Sequence, residues 1–323
     1  MIAHTERYGA TLPAAGGLSA ACAGRWGWDM DNNPLAAFYD ALQAAGVAPA
    51  SPSALVADGL LHRHRIEQDK PGSLNGWHVL HLDNPASGAG GSWKTGARAN
   101  WCAKRMQSLT TAERETLRLR IEEDKRRAQA EQEARHREAA QRGKWAWEHA
   151  KPASASHEYL QRKGIAPGIA RQRGGALVLP VQDFTGQLWG LQFIAPDSGK
   201  RFLSGMKKSG CYIPIGGRLD DSRAIYLVEG WATGMTIQAM KPTVQVAACC
   251  DAGNLASVAV EARRRWPSVS LVVCPDFDAI GTTKGRDAAI AARARILPPP
   301  AQIPEGASDW NDVAAARRQG VAS

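Results

Sequence analysis

Hydrophobic and polar positions follow different periods in different parts of this chain. From about residue 219 onward, short apolar runs at 224–228, 243–248 and 270–274 are separated by helical stretches. Those stretches run through Met240, over 254–266 and over 287–295. Continuous apolar strands between helices predict a parallel sheet with right-handed crossovers, an α/β arrangement. Residues 151–218 read differently. LVLPV at 177–181 and LWGLQFI at 188–194 are strands joined by a turn at 183–186, and KRFL at 200–203 and CYIPI at 211–215 follow. This segment is basic and mostly β.

Upstream, residues 108–150 hold a long helix. Thr110 and Glu113 have capping-box spacing, in which each side chain satisfies the other's free backbone donor. The following residues are helix formers with no Gly or Pro before Gly143. Charges of both signs alternate and no heptad is sustained, which describes a solvated connector. Residues 33–107 read as a small α+β domain. Pro34 starts a helix with Leu35, Phe38, Tyr39 and Leu42 on one face, ended by Gly46. LHRHRI at 61–66 and WHVLHL at 77–82 are strands around turn-forming residues 70–76. Residues 1–32 are rich in Gly and Ala without periodicity and stay unassigned. The expected organisation is thus 1–32, 33–107, 108–150, 151–218 and 219–323.

Composition narrows the class. The chain has 323 residues, 44% hydrophobic and 22% charged, which fits a folded protein of about two domains. No apolar run approaches the roughly 18 residues of a membrane helix, and the N-terminus lacks a secretory pattern. A soluble, cytoplasmic protein with no membrane partner is expected. Six cysteines include no CxxC pair, so no zinc ribbon is expected. The net charge of +9 is uneven: 10 basic and 3 acidic residues lie in 151–218, against 11 and 11 in 219–323. Concentrated positive charge points to a polyanion, nucleic acid above all.

Sites in an open parallel sheet form at the carboxyl ends of its strands. There the sequence places Glu229 after the first strand and Asp276-Phe277-Asp278 after the third. A few carboxylates, completed by water and substrate phosphates, suit Mg²⁺. Glu229, Asp276 and Asp278 are therefore a candidate metal cluster, and Asp309 of DWND could add a contact. Asp251 follows the second strand, where it either touches a nucleotide or caps the next helix. Lys200, Arg201, Lys207 and Lys208 are candidates for phosphate contacts, as are Arg162 and Lys163. In the first domain Arg63, Arg65, Trp77 and Trp93 combine charge with rings that single-stranded DNA could stack on.

VEG at 228–230, DFD at 276–278 and GRDAA at 285–289 resemble the TOPRIM domain of DnaG-type bacterial primases. The series IYLVEGWATGMTI, DAGNL, PDFD and DWNDVA is closer still to the TOPRIM primases of phages, plasmids and integrated elements. HEYL at 157–160, with KGI at 163–165, is similar to the start of the primase core. KRFLSG at 200–205 is similar to the basic segment that lines the template and nucleotide path. LHRHRI, GWHVLH and GSWKTG resemble the N-terminal part of the mobile-element proteins. The resemblance implies a C-terminal TOPRIM domain, Rossmann-like, behind a basic α+β subdomain. It implies a DNA primase that makes short RNA primers on single-stranded DNA from NTPs by metal-dependent nucleotidyl transfer. Mg²⁺ or Mn²⁺ would be held at Glu229, Asp276, Asp278 and Asp309, with no zinc. A separately encoded replicative helicase is an implied partner. Three departures stand out. Thr233 occupies a position where those primases usually carry a second acid, no zinc ribbon is present, and there is no Walker A sequence. The alternatives are an inactive TOPRIM module that binds single strands, and a TOPRIM nuclease.

Overall fold

The computed structural model describes residues 33–320; the unassigned segment 1–32 lies outside them. The chain divides into two compact units between Glu133 and Ala134.

In the first unit Asn33 caps helix α1 (Pro34–Ala44) by accepting from the Ala36 amide, with Pro at the first helical position. An antiparallel sheet follows in the order β1 (His62–His64), β2 (Gly76–His81), β3 (Ser87–Ser92), β4 (Arg98–Cys102). The sequence pattern shows β1 and β2, but β3 reads SGAGGS and carries no hydrophobic alternation. Its glycines are what the packing requires. A Cβ on Gly90 would sit 2.4 Å from Leu42 Cδ2, so only a bare backbone lets α1 lie this close to the sheet. Phe38, Leu42, Val47, Leu55 and Leu80 form the core between them.

Helix α2 (Thr111–Glu148) begins with the expected box: the Glu113 amide donates to Thr110 Oγ1, and the Thr110 amide donates to Glu113 Oε2. It is not an independent connector, because the unit boundary falls inside it. Before the boundary, Asp124 accepts from His81 Nε2 at 2.7 Å and Arg120 pairs with Asp83 at 2.6 Å. After it, Ala139, Ala140, Gly143 and Ala146 are buried in the second unit.

The second unit contains two five-stranded sheets. The first is antiparallel in the order β5 (Lys151–Pro152), β6 (Arg171–Arg173), β7 (Ala176–Gln182), β8 (Leu188–Ile194), β9 (Lys200–Phe202). Helix α3 (Glu158–Lys163) lies between β5 and β6 in sequence, with His157 as its N-cap. Alternation along β7 sends Val178 toward Ala146 and Ala150 of the α2 end. Leu177, Leu179 and Val181 face the other way, into a core shared with Val228, Trp231 and Val246. Segments 151–218 and 219–323 are therefore not separate bodies, since they bury one core together.

The second sheet has the order β10, β12, β11, β13, β14. The strands are β10 (Ile213–Ile215), β11 (Ile225–Val228), β12 (Gln245–Ala248), β13 (Leu271–Cys274) and β14 (Arg295–Ile296). Strands β11, β12 and β13 are parallel as predicted, and β14, where the sequence reading ended a helix, adds a fourth parallel strand. Edge strand β10 is antiparallel and belongs here, not to the upstream β segment in which its sequence placed it. Helices α5 (Ala252–Arg265) and α6 (Ala279–Ala292) pack one face through Leu255, Val258, Ala262, Ala288 and Ala292. Helix α4 (Trp231–Met240) packs in the other core, and α7 (Trp310–Arg318) packs against α4. Helix α6 begins eight residues before the helical stretch read at 287, because Asp278 caps it and its glycines are helical. No described helix is long and apolar enough to cross a membrane.

Candidate active site

Strands β11 and β13 are hydrogen-bonded neighbours, with Val228 opposite Cys274. Their carboxyl ends therefore deliver Glu229 and Asp276 to one place. Glu229 Oε1 accepts the Asp276 amide at 3.2 Å. Asp276 Oδ1 is buried and has no hydrogen-bond partner, an arrangement that costs free energy unless a proton or cation completes it. Burial, then the charges of Glu229, Asp309 and Asp278, push the Asp276 carboxyl up to about 8, and Lys200 pulls it partly back. Burial also raises Glu229, with Asp278, Asp251 and Asp309 adding to the shift.

The wall of this cleft is the first turn of α6. A Cβ on Gly281 would fall 2.7 Å from Glu229 Oε1 and 2.8 Å from the Asp276 carbonyl oxygen. Glycine is thus needed beside the two acids, a constraint invisible in the spacing of the acids alone. Asp278 is exposed and caps α6 by accepting from the Gly281 amide. Asp309 caps α7: Oδ1 accepts from the Asp312 amide at 2.9 Å and Oδ2 accepts from Thr233 Oγ1 at 3.0 Å. The Phe277 amide donates to the Ser308 carbonyl oxygen at 2.8 Å, which ties the DFD turn to the α7 entrance. Four acids thus surround one region. Among the described residues, no group of three or more His, Cys, Asp or Glu side chains is already arranged to hold an ion. Thr233 was read from sequence only as a missing acid; its role as a donor to Asp309 needed the fold.

The basic candidates separate into two groups. Lys200 and Arg201 are exposed on β9, and Lys200 is near enough to act on Asp276. Lys207 lies 4.8 Å from the Trp189 ring centroid, and Arg201 5.3 Å from that of Phe193. Lys208 pairs with Asp251, which also caps α5 by accepting from the Asn254 amide. Of the two roles read for Asp251, the cap is the one its contacts fulfil. Arg162 is taken up by the Pro196 carbonyl and Ser198 hydroxyl, and Lys163 by Asp312 at 3.0 Å. In this structure these two side chains tie down neighbouring segments.

In the first unit Trp77 is buried, at 8% exposure, so it offers no stacking face. Its ring centroid lies 6.2 Å from that of Trp93, and Arg63 lies 4.8 Å from the Trp93 centroid. The guanidiniums also bond locally: Arg63 donates to the Leu74 carbonyl, and Arg65 to those of Asp69 and Glu67. Trp77 is thus a packed residue and not the stacking face expected of it, while Arg65 is exposed and engages neighbouring carbonyls. Near them runs a buried histidine chain that the sequence reading passed over, both rings held below the ordinary histidine range by burial. The Val56 amide donates to His78 Nε2, His78 and His64 share Nδ1···Nδ1 at 3.1 Å, and His64 Nε2 donates to the Val47 carbonyl.

Residues 224–320 match the Toprim domain family. Over 274 residues the chain is 31% identical to a DNA primase TraC of Escherichia coli, covering 80% of this chain and 19% of that protein. A second E. coli DNA primase TraC is 31% identical over 278 residues, covering 81% of this chain and 26% of the relative. The chain therefore spans about a fifth to a quarter of these relatives. Among solved structures, the DnaG primase catalytic domain bound to ssDNA aligns with 59% of this chain and 80% of its own, at 12% identity and TM-score 0.39. The primase fragment of the bacteriophage T7 primase-helicase protein aligns with 54% and 73%, at 14% identity and TM-score 0.38. Residues 224–320 are thus similar to Toprim domains, and about four-fifths of this chain is similar to a part of the TraC DNA primases.

Proposed function

We propose that this chain is the catalytic portion of a DNA primase, with its reaction centre at Glu229 and Asp276. The observation that carries this reading is the buried, unpartnered Asp276 Oδ1 beside the Glu229 carboxylate. The donors are all hard oxygens, and two carboxylates leave room for water and substrate phosphate, which suits Mg²⁺ or Mn²⁺. Glu229 and Asp276 would hold the ion, with Asp278 and Asp309 adding charge nearby. When bound, a divalent cation supplies positive charge at the reacting phosphate.

The chain's own residues do the rest. Glu229 fixes the Asp276 backbone through the amide hydrogen bond, and Gly281 keeps the cleft open. Asp309 is held in orientation by Thr233 and by the α7 amide. Lys200 and Arg201, and Lys207 over Trp189, supply basic groups that suit triphosphate and template phosphates. In the reaction, a ribonucleotide 3′-hydroxyl attacks the α-phosphate of an incoming NTP and pyrophosphate leaves. Single-stranded DNA is the template, and replication of a phage, plasmid or integrated element is the setting.

The test is incubation of the chain with single-stranded DNA, four NTPs with one labelled, and Mg²⁺ or Mn²⁺. Short labelled oligoribonucleotides are expected, and Asp276→Ala/Asp278→Ala should abolish them. Template cleavage in place of synthesis would make the chain a nuclease. Binding of single strands without product would make it an inactive Toprim module.

A further inference from the structure

Asn311, in the first turn of α7, is completely buried. Its Nδ2 donates to the Lys163 carbonyl oxygen and to Thr236 Oγ1, each at 2.9 Å. The carbonyl accepts only, so it fixes which end of the amide faces it. Asn311 Oδ1 is buried with no hydrogen-bond partner. An unpaired buried acceptor costs free energy, and a leucine of similar size would avoid that cost. The use of an amide here therefore lies in its two donors.

Those donors join three helices. Lys163 ends α3, and Thr236 lies in the middle of α4. Thr236 Oγ1 donates onward to the Ala232 carbonyl at 3.0 Å, which leaves its oxygen turned to accept from Asn311. Lys163 meets α7 twice more: its ammonium pairs with Asp312 at 3.0 Å, and its carbonyl also accepts from Arg318 Nη2 at 3.1 Å. Arg318 is exposed and the ion pair is partly so, and contacts of that kind are weak. Asn311 is the buried member of the set.

The same turn carries an acid of the candidate site. Asp309 lies two residues before Asn311, and Ser308 precedes it. The Ser308 carbonyl accepts the Phe277 amide of the DFD turn. Ser308 is itself held by Asp312 Oδ2, which accepts from its amide at 3.1 Å and its hydroxyl at 3.0 Å. The position of α7 along α4 thus sets both Asp309 and the turn between Asp276 and Asp278. A slide of α7 would move them together and leave Glu229 on its strand.

We propose that Asn311 is a positioning residue of the reaction centre. Its two buried hydrogen bonds fix the register of α7 on α3 and α4, and so hold Asp309 and the DFD turn beside Glu229. The inference rests on the reading of Glu229 and Asp276 as the ion site.

The test is Mn²⁺ binding by the full chain, read from the electron paramagnetic resonance of the free ion, with urea unfolding of each variant alongside. Asn311→Leu leaves both former acceptors a partner, in Arg318 and Ala232, so the fold should persist. It should weaken Mn²⁺ binding about tenfold, as loss of an outer support of a metal site does. Primer synthesis should fall by about tenfold to a hundredfold. Thr236→Val removes the other partner and should weaken Mn²⁺ binding likewise, while Thr236→Ser keeps the hydroxyl and should restore it. Val258→Ala truncates the core on the opposite sheet face and should lower stability without changing Mn²⁺ binding. Wild-type affinity in Asn311→Leu and Thr236→Val would overturn the proposal, as would equal weakening in Val258→Ala. If Asn311→Leu does not fold, the Thr236 pair decides. If wild type binds no Mn²⁺, or Asp276→Ala binds it equally, the ion-site reading falls and this inference with it. If Asp276→Ala abolishes binding while the Asn311 and Thr236 variants bind as wild type, only the positioning role falls.

Discussion

Replacing Asp276 with Asn should stabilise the protein. The folded state holds this carboxyl up to about 8 against an ordinary 3.8. Between those values the unfolded chain has released the proton and the folded chain still binds it, so stability falls as pH rises through that window. At pH 7 the gap spans roughly three pH units, and at about 1.4 kcal/mol per unit the ceiling is about 4 kcal/mol. Solvent reaches part of the side chain and screens it, so a gain of about 1–3 kcal/mol is expected for Asp276→Asn at pH 7. Below about pH 4 both states carry the protonated acid, and the gain should vanish. The assay is urea unfolding followed by circular dichroism from pH 4.5 to 8 with a chelator present. A variant less stable than wild type, or a difference that does not grow with pH, would refute the reasoning.

The remaining expectations concern other parts of the molecule. His78 is fully buried, and burial, then the charges of His64 and His62, push it down to about 4. Its contribution is present above the unfolded value of 6.5 and is lost as pH falls toward 4, about 3 kcal/mol in all; a falling protection factor at the Val56 amide, after correction for the intrinsic exchange rate, would report it. Gly90→Ala should destabilise the first unit by roughly 1–3 kcal/mol, because the new methyl meets Leu42, and a lowered melting temperature would show it. Thr233→Val removes the donor to Asp309 Oδ2 and should cost about 1–2 kcal/mol in urea unfolding, with Thr233→Ser close to wild type.

Much of this fold was legible in the sequence wherever one physical signal dominated. The buried strands β11, β12 and β13 announced themselves as apolar runs, and the Thr110–Glu113 box marked the start of α2. Legibility failed where a residue's role depends on a distant neighbour. Strand β3 was missed because glycine carries no periodicity, and its reason lies in Leu42 and Phe38 above it. Strand β10 was assigned to the wrong sheet because pairing with β12 is a long-range fact. At the site, the spacing of Glu229 and Asp276 was readable from strand ends. The Thr233–Asp309 contact, the need for Gly281, and the engagement of Arg162 and Lys163 by loops were not.

The most direct test of the reaction centre uses the variant that should fold better than wild type. Primer synthesis on single-stranded DNA by Asp276→Asn, measured beside wild type at equal concentration, separates chemistry from folding. The account predicts labelled oligoribonucleotides from wild type and none from the more stable variant. Synthesis by Asp276→Asn at the wild-type rate would contradict the placement of the reaction at Glu229 and Asp276.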